Sequence, residues 1–354
     1  MFLGIDGRFM RVPGGLGRYT RELITHLAGQ SPQDHFTVLV LPETPNLPTM
    51  RNVEYIEVAI PWYGIAEQIK LGLIMNRMTR VETWFIPHWN VPLFLFQPFV
   101  FTIHDFIFEE FPTYSPGRWN KINFFIKWGI WRMLLGWNVQ RTKGIITVSE
   151  FVKKGVIERF PWAASKTVAI YPGVSAPLPS NASTPAAPFF MMVGNSYPHK
   201  NQTLLFAAYA AHPEFTTETI IFTHQDRFSE QLAARNTDSR IKIVFDAPDE
   251  IICAHYAAAA ALIFPSRAEG FGFPPLEALS YGTPAIVAHT SVMPEILKDN
   301  VTWVSPDDSE ELFAAMKRIL TLPKPGDAGK KFAATFQWKN AALSTRNFLQ
   351  KVLY

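Results

Sequence analysis

The chain has one cysteine, Cys253, among 354 residues. A single thiol builds neither an internal disulfide nor a cysteine-based zinc cluster, and this gives the expectation of a cytoplasmic protein. The nine histidines show no HxxxH or HExxH spacing, so no structural metal is expected. Long apolar runs are missing too. The longest, Val91 to Ile103, is broken by Pro92, Gln97 and Pro98 and falls short of the ~18 residues a membrane-spanning helix needs. The opening MFLGIDGRF lacks a basic region followed by a long apolar run and reads as a first strand, not a leader. Charge of one sign is not in large excess: the formal net charge is +3, with 18 Lys and Arg against 13 Asp and Glu over residues 1–175 and 15 against 17 over the rest. So small a bias excludes a duplex-binding protein, and no nucleic-acid partner is expected; it suits an anionic small molecule or an anionic membrane surface. No tandem repeat at solenoid periods is present.

The 48% hydrophobic content is enough for two globular domains of ordinary size. Apolar strand candidates at Phe2 to Ile5, Phe36 to Leu41, Val53 to Val58, Thr83 to Pro87, Phe99 to Asp105, Gly144 to Ser149 and Thr167 to Gly173 alternate with helical patterns. That alternation predicts an α/β, doubly wound parallel sheet. A stretch rich in Pro, Ser and Ala, Ser175 to Pro188, reads as a linker, and Phe189 to Val193 restarts the pattern. The expected organisation is a Rossmann-like domain over 1–174, a linker over 175–188, a second Rossmann-like domain over 189–335 and a final helix over 336–354.

The densest chemistry lies in PSRAEGFGFPPLEALSYG, which begins at Pro265. Ala261 to Phe264 read as a buried strand, Gly270 and Gly272 keep the next turn bare, and Pro274 and Pro275 preset the first turn of a helix. A helix N-terminus behind a side-chain-free turn can lay backbone N–H groups against a phosphate. Glu269 and Glu277 bracket the turn; on the residues alone, each is either a site carboxylate or a dipole-complementing, solvated one. After Val193, GNSYPHKN offers Lys200 as a point charge for a diphosphate. At the N-terminus, GGLG (Gly14 to Gly17) separates a strand from a helix. His104 and Asp105 fall at the carboxyl end of a strand, where open parallel sheets bind ligands.

These motifs together resemble the retaining GT-B glycosyltransferases of family four. EGFGFPPLE matches that family's E-x7-E block and is followed by Gly-Thr-Pro, while GGLGRYT, the His-Asp pair, TVSEF, YPGV and PHKN occur in the family's order over nearly the whole chain. The resemblance implies two Rossmann-like domains facing a central cleft, the first binding the acceptor and the second the nucleotide sugar, with the C-terminal helix crossing back to the first. It implies Glu269 and His104 as catalytic, sugar-facing residues and Glu277 as the ribose ligand. Lys200, Gly15, Gly17, Gly270, Phe271 and Gly272 become donor-binding, with Arg267 supplementing Lys200 on the diphosphate. Asn195 stands where the family carries an Arg. His88 and Asp105 are weaker acceptor- or sugar-binding candidates. The implied activity is transfer of a hexose, with mannose favoured, from a GDP-sugar or UDP-sugar to a saccharide or lipid-linked saccharide in cell-surface polysaccharide synthesis, without a cofactor or metal. The rival reading is a catalytically silent sugar-nucleotide-binding subunit, suggested by Asn195 alone; a phosphorylase is a second, with no lysine motif for a pyridoxal cofactor.

One segment stands apart. Residues 117–139 carry two apolar stripes at helical spacing, Ile122, Ile126, Ile130, Met133 and Leu134 on one side, and Phe124, Trp128, Trp131 and Leu135, bordered by Lys127 and Arg132, on the other. Either the aromatic, basic stripe is a peripheral contact with anionic membrane, at its inner face, or both stripes are buried.

Overall fold

The computed structural model describes the chain except for residues 13, 113–117, 176, 181, 323–325 and 354 and the side chains of 118–121 and 123. Gly117, the side chains of Arg118 and Lys121 in the basic helix, and two positions of the expected linker therefore lie outside the described residues. The chain divides into two compact units. The first comprises Met1–Glu109, Tyr114–Gly173 and Gln337–Tyr354; the second comprises Glu110–Thr113 and Val174–Phe336.

In the first unit, β1 (Phe2–Asp6), β2 (His35–Val40), β3 (Val53–Glu57), β4 (Thr83–Ile86), β5 (Phe99–Ile103), β6 (Gly144–Thr147) and β7 (Thr167–Ala169) form one sheet in the order β3-β2-β1-β4-β5-β6-β7. Every pairing is parallel. β4, β5 and β6 are buried throughout, as unbroken apolar strands covered on both faces must be. β3, at the edge, is only half-buried, which is why its residues alternate. Several strands end a residue or two before the expected boundary. β4 stops ahead of Pro87, and β5 stops at Ile103 because Asp105 accepts a bond from the Ile107 amide and turns the chain. Ser149 does cap the Glu150–Arg159 helix, accepting from the Val152 amide at 3.2 Å.

The final helix, Trp338–Leu353, belongs to the first unit and packs on the Gly15–Gln30 helix. Gly173, in YPGV, makes room for it, since a Cβ there would sit 2.1 Å from the Trp338 amide nitrogen. Arg346 of this helix donates to buried Asp34 at 2.7 Å, and the N-terminal ammonium donates to the same carboxylate at 3.1 Å.

The Arg118–Arg141 helix matches neither sequence-based alternative, an outward aromatic stripe or two buried stripes. Its aromatic side faces inward: Phe124, Trp131 and Leu135 are buried, with Trp131 edge-on to Trp89 at 5.8 Å and to Phe108 at 5.7 Å. The aliphatic side, Ile122, Ile126, Ile130 and Met133, is exposed. Among the described residues no helix is long and apolar enough to cross a membrane.

In the second unit, β8 (Phe189–Val193), β9 (Glu218–Thr223), β10 (Ile241–Phe245), β11 (Ala261–Phe264), β12 (Ala285–Ala288) and β13 (Thr302–Val304) form a parallel sheet in the order β10-β9-β8-β11-β12-β13. Its core joins Phe190, Ile221 and Ile263 of the sheet to Leu205 of the Gln202–Ala211 helix and Leu312 and Met316 of the Ser309–Thr321 helix. In both sheets the strand order reverses beside the first strand, between β1 and β4 and between β8 and β11. Loops leaving such a pair diverge and open a crevice at the carboxyl ends.

Arg346→Ala is expected to lower stability at pH 7 by about 1.5–3 kcal/mol, the range for a hydrogen bond to a charged group. Burial, which raises the Asp34 pKa, is outweighed by Arg346 and the terminal ammonium, so the folded value lies below 3.8. A depressed carboxylate stabilises the fold above its unfolded pKa and loses that contribution as pH falls through the folded value. Urea unfolding of both proteins should therefore show a gap at pH 7 that closes below about pH 4; a gap independent of pH would contradict this role for Asp34.

Candidate active site

The two motif loops of the second unit leave the two strands at its reversal point. After β8, Gly194 (φ +137) leads into the turn Pro198–Lys200 and then to Asn201, held in the left-handed region at φ 55. The Asn201 amide group donates to Pro265 O at 3.1 Å and Pro306 O at 2.8 Å, tying this loop to the one after β11. The Arg267 amide donates to His199 O at 2.7 Å and closes the tie from the other side. The result brings Lys200 Nζ within 2.6 Å of Glu269 Oε1, both side chains largely buried. Glu269 is itself fixed by its amide, which donates to Ser291 Oγ at 3.1 Å.

The bare turn is sterically required. Gly272 has φ +91, and a Cβ on it would lie 2.4 Å from Met293 Cε. Phe273–Tyr281 then forms the helix, with proline at its start. Glu277, half-buried in that helix, accepts from the Tyr256 hydroxyl at 3.0 Å. Phe271 is buried between Phe273 and Phe336 and packs the turn. Gly270 lies in the same turn. Asn195 spends its carboxamide oxygen on the Tyr197 amide at 3.4 Å. The Arg267 guanidinium pairs with Asp307 at 2.6 Å and donates to Pro306 O. Two buried atoms of the loops, His199 Nδ1 and Ser266 Oγ, have no partner. Burial first, then Lys200, pulls the His199 imidazole down to about 4.

In the first unit, His104 and His88 stand at the carboxyl ends of β5 and β4, their ring centres 6.4 Å apart. His104 Nε2–H donates to Pro87 O at 2.9 Å. Burial takes its pKa down to about 4, so the ring is neutral near pH 7 with Nδ1 left as an acceptor. His88 Nδ1 accepts from the Asn90 amide at 3.2 Å, which leaves Nε2–H for the Tyr63 hydroxyl at 3.2 Å. Burial, with His104 and Arg8 nearby, holds it well below the usual histidine range. Asp105 caps its own turn. Gly15 opens the Gly15–Gln30 helix and is exposed. Gly17 is buried, and the close approach that forbids a side chain there is to Val12 O, 1.7 Å from a Cβ.

Sequence reasoning missed a buried charge cluster behind these histidines. Arg8, fully buried, donates to Asp6 at 2.8 and 2.7 Å and to Glu67 at 2.6 Å. Glu67 also accepts from the Tyr63 amide and from Asn90, each at 2.6 Å. Burial, opposed by Arg8, leaves the Glu67 carboxyl above its ordinary range. The available signal was charge inside otherwise apolar segments, Arg8 behind β1 and Glu67 between Ile65 and Ile69.

Among the described residues, no group of three or more His, Cys, Asp or Glu could hold a metal ion. What the arrangement offers is a largely buried ammonium beside a carboxylate in one unit and neutral imidazoles ringed by aromatic side chains in the other.

Comparison with known proteins agrees with this geometry. The family model for Glycosyltransferase Family 4 matches residues 13–176, and that for Glycosyl transferases group 1 matches residues 179–334. The O-antigen chain mannosyltransferase RfbU of Salmonella typhimurium is 28% identical over 301 residues, covering 81% of this chain and 77% of that protein. Among solved structures, sucrose-phosphate synthase of Thermosynechococcus elongatus superposes with a TM-score of 0.79 at 18% identity, over 99% of this chain and 98% of that one. Anabaena HepE, solved with UDP and glucose, gives 0.69 at 17%, over 99% of both chains. With two parallel-sheet units and both family models matched in order, the chain belongs to the group 1 glycosyltransferases of family 4 and has the GT-B fold.

Proposed function

We propose that this glycosyltransferase is a retaining hexosyltransferase that moves mannose from a nucleotide diphosphate sugar to a saccharide or lipid-linked saccharide during cell-surface polysaccharide synthesis. The observation that carries the reading is the Lys200–Glu269 pair, 2.6 Å apart at the reversal point of the second sheet. Mannose is favoured by the relative, an O-antigen chain mannosyltransferase. The silent-subunit alternative has only Asn195 in its favour, and the lysine that an Arg would assist is present and poised.

In this reading the bond between the sugar's anomeric carbon and the diphosphate oxygen breaks, the acceptor hydroxyl oxygen bonds to that carbon on the same face, and the hydroxyl proton passes to the leaving diphosphate oxygen. Charge grows on the leaving diphosphate, and fixed cations and helix N-termini aimed at it supply the largest electrostatic stabilisation. Lys200 and the start of the Gln202–Ala211 helix fill that role. Because Asn195 is neutral and Arg267 is held by Asp307, Lys200 carries most of the charge. Glu269 exchanges its partner: once the diphosphate claims the ammonium, the carboxylate turns to the sugar. Glu277, oriented by Tyr256, takes the ribose. His104, neutral with Nδ1 as acceptor, receives a sugar hydroxyl. Gly15, Gly17, Gly270, Phe271 and Gly272 shape the backbone around the donor, while His88 and Asp105 serve the acceptor side indirectly, as their hydrogen bonds to neighbouring groups suggest.

A panel of GDP- and UDP-sugars tests the activity and reads the base. Slow release of nucleotide is expected from one mannosyl donor; no release from any sugar nucleotide, with or without saccharide acceptors, would overturn the reading.

Lys200→Ala should raise the Kd of the free nucleoside diphosphate about tenfold or more, since a charge-assisted contact is worth ~1.5–3 kcal/mol. Glu269→Gln should abolish transfer yet bind the same diphosphate more tightly, because Lys200 loses its competing anion. Calorimetry shows both, and near-normal turnover in Glu269→Gln would remove this carboxylate from the mechanism. Glu277→Ala should chiefly weaken nucleotide binding; unchanged affinity means the ribose lies elsewhere.

A further inference from the structure

The exposed side of the Arg118–Arg141 helix is continuous with a second apolar patch in the same unit. At about 100° per residue, Ile122, Phe125, Ile126, Ile130, Met133 and Trp137 share one arc. They are exposed, Ile126 at 56% and Met133 at 66%, and no polar residue interrupts them. Gly129, in the middle, faces open space. Trp137 at the end of the arc carries the Arg141 guanidinium over its ring at 5.4 Å. The same guanidinium donates to Leu95 O at 2.8 Å, between Phe94 and Phe96, whose exposed rings lie 6.3 Å apart. Asn76 donates to Phe94 O at 2.7 Å and so brings in the helical stretch that presents Ile65, Ile69 and Leu73 to solvent at every fourth position.

We propose that this band is the seat of the protein on a bilayer containing anionic lipid. The proposal deepens the lipid-linked acceptor reading above and rests on it. Charge selects the occupant. The Arg118–Arg141 helix has five Lys and Arg and no Asp or Glu. Lys127 borders the apolar arc on one side and Arg132, paired with Glu109, on the other. Lys70, Arg77 and Arg80 are exposed beside the second patch, whose one acid, Glu67, is buried on Arg8. An apolar face bordered by Lys127, Arg132, Lys70, Arg77 and Arg80 matches acyl chains under anionic headgroups. Two copies of the chain meeting through it would oppose like charges. A patch of this extent on a soluble surface marks an interaction site.

The test is sedimentation of the full chain with vesicles of phosphatidylcholine, with and without phosphatidylglycerol, at low and high salt. Wild type should pellet with the anionic vesicles and be released in part by salt. The double variant Ile126→Glu, Met133→Glu should bind at least tenfold more weakly, with an unchanged melting temperature and unchanged nucleotide release from donor. A wild type that never pellets, or a variant that pellets equally well, overturns the proposal. So does light scattering that shows a dimer dissolved by the variant, for then the face is a protein interface. Transfer to a soluble saccharide without vesicles reports on the enzymatic reading alone. Transfer without vesicle binding sinks only the membrane seat; binding without transfer sinks only the acceptor chemistry.

Discussion

Parallel pairing is the constraint on which the rest of the molecule depends. A parallel strand cannot be followed directly by its neighbour, so each connection crosses back over the sheet, and every carboxyl end emerges along the same edge. Both faces of the sheet are then covered, which is why Thr83–Ile86, Phe99–Ile103 and Ala261–Phe264 read as unbroken buried runs. The strand order also fixes chemistry. β8 is flanked by β9 and β11, so the loops that leave β8 and β11 are neighbours although Lys200 and Glu269 are 69 residues apart. Asn201, bonding to Pro265 and Pro306, turns that adjacency into a rigid spacing.

Legibility in the sequence followed the strength of local pattern. β8 and β11 coincide with their apolar runs, and the helix behind Gly272 starts where its prolines predict. β12 and β13 were invisible: Ala285–Ala288 is four small or branched residues and Thr302–Val304 only three, too short for a period to emerge. Glu269 and Lys200 were legible as motif members, but their pairing was not, because topology and not spacing brings them together. The Asp6–Arg8–Glu67 cluster shows the same limit, since a charge in an apolar segment announces a partner without naming it.

The Arg118–Arg141 helix illustrates a different failure. Apolar side chains on every side give two stripes of nearly equal strength, and periodicity alone does not say which turns inward. The decision lies with the receiving surface. Trp89 and Phe108 offer flat aromatic faces, against which Trp131 packs edge-on, while Phe124 packs tilted against Phe108. Aromatic pairs gain from that geometry beyond the area they bury, whereas β-branched isoleucines would leave gaps there. The aliphatic stripe is left outside, and with it the larger apolar exposure.

The two units present different electrostatics at their strand ends, and the difference suits different parts of a sugar nucleotide reaction. In the first, burial keeps His88 and His104 neutral, and Arg8 is matched by Asp6 and Glu67, the second of which uses its remaining oxygen, Oε2, to accept from the Tyr63 amide and Asn90. A saccharide carries hydroxyls and no charge, so neutral acceptors and aromatic rings are the groups that can bind it without a desolvation penalty for an unpaired ion. In the second, Lys200 is too buried to rely on water for its charge, and Glu269 supplies the compensation at 2.6 Å. Such a pair stores no large net stability, because the cost of desolvating two ions offsets their attraction. It can therefore be opened by a ligand that brings its own negative charge, and opening it frees a carboxylate beside the bound anion. The ion pair thus keeps the two loops electrically neutral at little net gain in stability, and under the proposed function its opening by the diphosphate is the event that frees Glu269.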